Sequence, residues 1–356
     1  MTPKFHSLQI KDIRKETKNC VSISFEIPQE LKADFHFKSG QYLTLRSILQ
    51  GEDVRRSYSL CSAPTDHEWR VAIKQVENGV FSTFAVNELK EGQLLDVMNP
   101  MGNFKLETHP DNEKSYVLFA AGSGVTPIFS ILKSILREEP KSHVTMFYGN
   151  QGFSEVIFRE ELENLKNEYL NRLCLVHLFS RENLGNTIQK GRIDEQKCLD
   201  LHKAFLQNER IDDVFICGPE QMILDVKAAM LQKGLPEKSI HFELFHSGAA
   251  KTAAKKNTET LENVSSIVTV IMDDDAIEFP LDSSGMTILD AAYKAGSDVP
   301  YACKGGVCCT CKAKVLKGTV SMDLNYALTP EEVEAGYILT CQAHPTSEEV
   351  LVSFDD

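Results

Sequence analysis

Four cysteines, Cys303, Cys308, Cys309 and Cys311, fall within nine residues of the stretch YACKGGVCCTCKAK, and Cys341 stands apart with 29 residues between it and Cys311. Thiolates so placed can form a disulfide knot, hold zinc or hold an iron–sulfur cluster. Structural zinc sites pair two short cysteine knuckles, whereas here the last cysteine is alone. A disulfide knot requires an oxidising compartment. The opening MTPKFHSLQI lacks the apolar stretch of a signal peptide, and no apolar run approaches the ~18 residues that cross a bilayer. The expectation is a cytoplasmic protein with reduced thiols and no membrane partner.

Cys303, Cys308, Cys311 and Cys341 read C-x4-C-x2-C with a distant fourth cysteine, which is the plant-type [2Fe–2S] spacing. Each iron takes two thiolates, so the loop must wrap closely, and Gly305 and Gly306 permit that approach. Using Cys309 in place of Cys308 gives C-x5-C-x1-C, which matches no such pattern. Cys309 is read as a small residue packed beneath the loop. Residues 265–356 thus resemble a plant-type ferredoxin.

At 356 residues the chain exceeds one small core, and its 42% apolar and 25% charged composition is that of a globular protein. A multidomain protein is expected. Residues 1–107 alternate as strands: VSISFEI puts Val21, Ile23, Phe25 and Ile27 on one face, and WRVAIKQV repeats the pattern with Val71 and Ile73. This predicts an antiparallel β-barrel. In residues 108–245, the buried-strand candidates YVLFAA, HVTMFYG, LCLVHLFS, DVFICG and HFELF alternate with helices near 129–136, 155–167 and 220–233. That order predicts an α/β domain with a parallel sheet. Residues 246–264 read as a mobile polar linker, with an exposed helix as the competing reading. In residues 265–356, SIVTVIM and AIEFPL suggest a hairpin, TILDAAYKAG a helix closed by Gly296, and TPEE a capping box. The ferredoxin resemblance implies an α+β (β-grasp) domain here.

Net charge is −13, and residues 265–356 carry 15 acidic side chains against 5 lysines and no arginine, or −10 of it. That argues against nucleic acid, whose phosphates need Lys and Arg. It suits docking on a basic protein surface, or serves solubility alone.

RRSYSLCSAP contains Arg56, Tyr58 and Ser59 as R-x-Y-S, and GVFSTF follows with Gly79. This pair resembles the flavin domain of the ferredoxin–NADP reductase family. The resemblance implies FAD, with Arg56 on its phosphate, Tyr58 packed on the isoalloxazine and Ser59 near N5. It also places Ile73 in the cofactor site and the amides of Gly79, Val80, Phe81 and Ser82 on the pyrophosphate, as an anion nest. In AAGSGVTP, Gly122 and Gly124 allow close approach of a ligand, while Thr126 is expected to cap the next helix with Pro127 at its first position. CGPEQM gives a second turn with Cys217, Gly218 and Pro219. The resemblance assigns both turns to the nicotinamide half, with Cys217 close to the transferring carbon. Ser180 and Arg181 in FSRE read as a 2′-phosphate site, with Arg192 assisting, so NADPH is expected. A solvated arginine is the competing reading. In FELF the resemblance places Glu243 near the hydride path and Phe245 over the free flavin face, where a core aromatic is the alternative.

The order of the three modules implies electron flow from NADP(H) through FAD and [2Fe–2S] to an oxygenase component, with Ser59, Cys217 and Glu243 at the hydride step. Within this reading the oxygenase is of ring-epoxidase or ketosteroid-hydroxylase type. A general ferredoxin-fused NADP reductase and a non-enzymatic redox sensor remain as alternatives.

Overall fold

The computed structural model describes residues 4–182, 185–207, 209–245 and 264–355. The linker reading of 246–264 therefore lies outside the described residues, apart from Val264. Three main sheets follow one another along the chain.

The first has six antiparallel strands, in the spatial order Glu52–Ser59, Tyr42–Leu49, Leu94–Met98, Phe5–Thr17, Cys20–Glu26 and Trp69–Lys74. A bridge between Leu60 and Val71 joins the two outer strands. The sheet so becomes a barrel and hides its edges. Val21, Ile23, Phe25 and Ile27 all enter its core, as their alternation predicts. The opposite face of Cys20–Glu26 is not solvated: Ser22 and Ser24 are fully buried too. Arg70 covers that face, donating from Nη1 to Ser22 Oγ at 2.8 Å. Nearby, Cys20, Cys61 and Ala72 belong to the core of the second domain.

That second domain has five parallel strands, ordered Ile240–Leu244, Asp213–Gly218, Ser115–Ala121, His143–Asn150 and Leu173–Phe179. The order reverses at Ser115–Ala121, whose neighbours are the second and fourth strands of the sheet in chain order. Ligands bind at the carboxyl ends of strands at such a reversal, where the crevice opens. The helix expected from residue 129 starts earlier and spans Val125–Glu138, because the tight turn Gly122–Gly124 runs directly into it. Thr126 is therefore no cap: its hydroxyl donates to the Ser123 carbonyl at 3.0 Å, and Pro127 is the third helical residue. The helix expected over 155–167 begins at Arg159, after a left-handed Phe158 with φ 58°.

The third sheet is ordered Asp275–Asp282, Ser265–Met272, Glu349–Ser353, Lys312–Lys317 and Tyr337–Leu339, with helix Ile288–Lys294 packed on its core. Asp273 and Asp274 at φ 53° and 66° make the two-residue hairpin turn. Gly296 at φ 99° ends the helix, and Thr329 forms the capping box with Glu332.

One charged cluster ties the barrel to the nicotinamide sheet. Lys133 of helix Val125–Glu138 donates to Asp66 Oδ2 at 2.6 Å, and Arg137 pairs with the other oxygen. Burial pushes the Asp66 carboxyl up, but Lys133, Arg137 and the Ala63 amide outweigh it and hold the group below its usual range. A depressed carboxyl adds stability above its unfolded pKa of ~4, and that stability is lost as pH falls through the lower folded value. Asp66→Asn should therefore lose about 1–3 kcal/mol at neutral pH, with the deficit shrinking in acid. Urea unfolding of both proteins at neutral and acid pH checks this.

Candidate cofactor and cluster sites

The four spaced cysteines gather as two pairs. Cys303 and Cys308 sulfurs are 3.1 Å apart, and the Cys311 and Cys341 thiols hydrogen-bond each other. Among the described residues no group of three or more His, Cys, Asp or Glu surrounds a single point. Two pairs fit two irons with two thiolates each and do not fit one zinc ion. The Gly305 amide donates to Cys303 Sγ at 3.3 Å. The hydrogen bond from Cys308, with backbone amides of the loop, holds the Cys303 thiol down to about 6 against burial. Gly306 sits at φ 72°, and a Cβ there would press on the Leu324 carbonyl at 3.0 Å. Cys309 is buried and packed, as expected, and what it packs on is the barrel, its sulfur 3.5 Å from the Tyr42 hydroxyl.

The flavin motif lies on strand Glu52–Ser59 and the turn at Gly79. Arg56 is exposed, and Nη1 donates to the Arg55 carbonyl at 2.7 Å. Among the described residues no carboxylate pairs with Arg56, so most of its donors face outward, as an anion site requires. Tyr58 packs near Phe81, ring centroids 5.7 Å apart. The expected anion nest is a helix start: Gly79 precedes helix Val80–Asn87. The amides of Val80, Phe81 and Ser82 are the orphan donors of its first turn, at the positive end of its dipole. A Cβ on Gly79 would collide with Ser82 Oγ and Val76 Cγ2. The side chains of Phe81 and Ile73 lie inside the barrel, 1% and 0% exposed. Phe81 and Ile73 could thus reach a cofactor only through their backbones.

The two nicotinamide turns touch. Gly124 lies so close to the Cys217 carbonyl that any Cβ would collide with it, and a Cβ on Gly218 would reach the Ala121 side chain at 3.2 Å. Pro219 precedes helix Glu220–Gln232. Thr126 and Pro127 are buried behind the first turn. Cys217 and Glu243 are register partners on adjacent parallel strands. Burial, then the Glu243 charge, pushes the Cys217 thiol well up, so it stays neutral. Glu243 in turn accepts a hydrogen bond from Ser59 Oγ at 2.9 Å, joining the flavin strand to the last nicotinamide strand. Burial pushes the Glu243 carboxyl up to about 8, with Ser59 opposing. Phe245 follows that strand and is exposed rather than in the core.

At the opposite edge, Ser180 and Arg181 follow strand Leu173–Phe179, their amides donating to the Asn150 and Gln151 carbonyls at 3.0 and 2.9 Å. Arg181 and Arg192 are exposed. Sequence reasoning missed Tyr42 and Arg55, which reach from the barrel to the cysteine domain. Arg55 had one visible signal, a second arginine beside the motif arginine in RRSYSL.

Replacing Cys303, Cys308, Cys311 or Cys341 by Ser should lose or alter cluster absorbance and iron content while flavin is retained, whereas Cys309→Ser keeps both. The opposite pattern for Cys308 and Cys309 would overturn the ligand register. The rate of flavin reduction by NADPH should titrate near pH 8 in the wild type, and Glu243→Gln should remove that transition in stopped-flow traces.

Residues 7–106 match the oxidoreductase FAD-binding domain, residues 118–228 the oxidoreductase NAD-binding domain and residues 270–346 the 2Fe-2S iron-sulfur cluster binding domain. The chain is 40% identical over 351 residues to a component polypeptide of 1,2-phenylacetyl-CoA epoxidase from Escherichia coli (strain K12), covering 99% of this chain and 98% of that protein. It is 34% identical to the ferredoxin reductase component of 3-ketosteroid-9-alpha-monooxygenase from Rhodococcus rhodochrous, covering 98% and 96%. Its fold is similar to phthalate dioxygenase reductase, with TM-score 0.59, 22% identity and 98% coverage of both chains. It is also similar to part of an intact type IV self-sufficient cytochrome P450 monooxygenase, with TM-score 0.69 and 21% identity, covering 98% of this chain and 41% of that one. With three cofactor domains in this order and full-length identity of 40%, the chain belongs to the family of FAD-, NAD- and [2Fe–2S]-binding oxygenase reductases that includes this epoxidase component.

Proposed function

We propose that the protein is the reductase of a phenylacetyl-CoA epoxidase, carrying electrons from NADPH through FAD and the [2Fe–2S] cluster to the oxygenase component. The contact that carries this reading is the hydrogen bond between Ser59 and Glu243, which sets the end of the flavin strand against the nicotinamide sheet at its crevice. A redox sensor has no need of a hydride path closed by such a contact. The choice of oxygenase rests on the identity to the epoxidase component, and a ketosteroid-hydroxylase type of acceptor is the second reading.

In this reading residues 1–107 hold FAD, residues 108–245 the nicotinamide cofactor and residues 265–356 the cluster, with 246–264 linking them. When bound, FAD converts a two-electron hydride into single electrons, which the cluster relays. Arg56 and the first-turn amides of Val80–Asn87 neutralise the flavin phosphates. Tyr58 and Phe245 would pack against the flavin ring, and the Ser59 hydroxyl would hydrogen-bond it near the reacting nitrogen. Gly122, Gly124, Gly218 and Pro219 let the nicotinamide half lie against the strand ends, with Cys217 behind it as a neutral wall. Glu243, shifted toward its neutral form, accepts the Ser59 hydroxyl on one carboxyl oxygen and would carry its proton on the other, so that it does not oppose the arriving hydride by charge. Ser180, Arg181 and Arg192 bind the 2′-phosphate. A cytoplasmic setting, which keeps thiols reduced, suits the cluster ligands.

The test mixes the purified protein with the oxygenase component of a phenylacetyl-CoA epoxidase and follows NADPH-dependent product formation. Failure with that oxygenase, together with turnover of a ketosteroid hydroxylase, selects the second reading. Arg181→Ala should raise the KM for NADPH by roughly ten- to hundredfold, as loss of a charge-assisted contact does, with kcat little changed because the 2′-phosphate is bound alike in ground and transition states. Equal kcat/KM for NADPH and NADH in the wild type would overturn the phosphate site.

A further inference from the structure

The buried contacts that seat the cysteine domain on the flavin barrel centre on two points of the strand pair Tyr42–Leu49 and Glu52–Ser59, while Lys4 and Asp273 form a further, exposed ion pair at 3.1 Å. The first is Tyr42, 4% exposed. Its hydroxyl accepts the Cys309 amide at 3.2 Å and lies 3.1 Å from Thr310 Oγ1. Its ring packs in one apolar cluster with Ala302, Cys308 and Cys309, joined by Met101. The backbone of Tyr42 is pinned by a reciprocal pair of hydrogen bonds to Met101 at 2.8 and 3.0 Å, and Gly102 gives the ring its space: a Cβ there would touch it at 3.1 Å. This is a held aromatic ring, not a loose surface tyrosine.

The second point is Arg55, whose side chain is 1% exposed. Its Nη2 donates to Asp53 at 2.9 Å within the barrel and to Asp298 at 2.8 Å across the interface. The guanidinium lies 4.3 Å from the Tyr301 ring centroid and 5.2 Å from that of Phe5. Asp298 and Tyr301 stand immediately before the first cluster cysteine, Cys303. A guanidinium this far from water must be fully partnered, which makes its position over Tyr301 stringent. Asn103 adds a rim contact, donating to Glu332 Oε2 at 2.8 Å.

The register of the strand pair gives this seating a consequence. Tyr42 and Ser59 are directly opposed, and Ser59 bonds Glu243. The residue that grips the cluster loop is therefore the cross-strand neighbour of the residue at the hydride step. We propose that Tyr42 and Arg55 are positioning residues that dock the cluster loop on the flavin strand and so set the gap for internal electron transfer. The proposal rests on the reading that flavin feeds the cluster. The step is outer-sphere: reduced flavin is oxidised by one electron, the cluster is reduced by one, and no covalent bond forms or breaks. Two such events, with the cluster passing its first electron to the oxygenase component between them, carry off the two electrons of one hydride from the nicotinamide cofactor, and the hydride's proton leaves the flavin for solvent. Transfer between fixed centres falls steeply with their separation, so small slips of the docked domain matter.

The test uses the full-length holoprotein under anaerobic stopped flow, with Tyr42→Phe and Asp298→Asn. Asp298 is exposed and outside the cluster loop, which guards against a folding defect. Both variants should keep iron content, the reduced-cluster EPR signal and the rate of flavin reduction by NADPH. The later flavin-to-cluster step should slow by about tenfold, as misplacement of a positioned group does, and Asp298→Glu should recover most of it. Wild-type cluster reduction in both variants overturns the dock. Equal slowing of flavin reduction also overturns it, because the residues would then serve the flavin site or the fold. A wild-type cluster that takes no electrons from reduced flavin at any rate refutes the underlying electron-transfer reading instead.

Discussion

Along strand Glu52–Ser59 side chains must alternate between two faces, and this period of two is the constraint on which the molecule is organised. Arg55, Ser57 and Ser59 share one face; Arg56 and Tyr58 share the other. On the first face Arg55 meets Asp298 of the cysteine domain and Ser59 meets Glu243 of the nicotinamide sheet. The second face carries Arg56 and Tyr58 of the flavin motif, whose third member, Ser59, lies on the first. One short strand can thus address three cofactor domains, because each needs only one or two side chains from it. A one-residue slip would send all of them to the wrong partners. The barrel guards against that slip: Glu52–Ser59 pairs with Tyr42–Leu49 over eight residues, and the Leu60–Val71 bridge closes the ring behind it.

Two of the joints between domains are made by partly buried charge pairs. Asp66 with Lys133 and Arg137 fixes the nicotinamide sheet on the barrel. Arg55 with Asp53 and Asp298 fixes the cysteine domain on another side. Both groups are at least partly withdrawn from water, where an unpaired charge is costly, so each joint tolerates one geometry. Between them Glu243 is half-buried and, among the described residues, has no cationic partner, and its carboxyl shifts toward the neutral form instead. Ionic joints thus flank a carboxyl that is not itself part of an ion pair.

The turns at the crevice follow from close approach rather than from loop flexibility. Gly124 must lack a side chain because the Cys217 carbonyl stands where a Cβ would be. The two turns at the carboxyl ends of these strands are thereby packed backbone to backbone, at the point where strand order reverses and a crevice forms.

Features set by local spacing were legible in the chain alone. The inward face of Val21, Ile23 and Phe25, the strand–helix alternation of the second domain and the Thr329 cap all depend on residues near in sequence, whose periodicity states what they do. Helix starts were less legible, since the turn at Gly122–Gly124 absorbed the capping role expected of Thr126. Cys309 shows the same limit: spacing sets it apart from the four-cysteine pattern without saying that it faces Tyr42. Tyr42 with Cys309, Arg55 with Asp298 and Ser59 with Glu243 are separated by 267, 243 and 184 positions. No local pattern encodes such pairs. The sequence by itself determined which cofactors the chain can hold, because ligand chemistry is written in short motifs. Only the tertiary structure decided which motif lies against which, because that depends on how three separately closed cores stack.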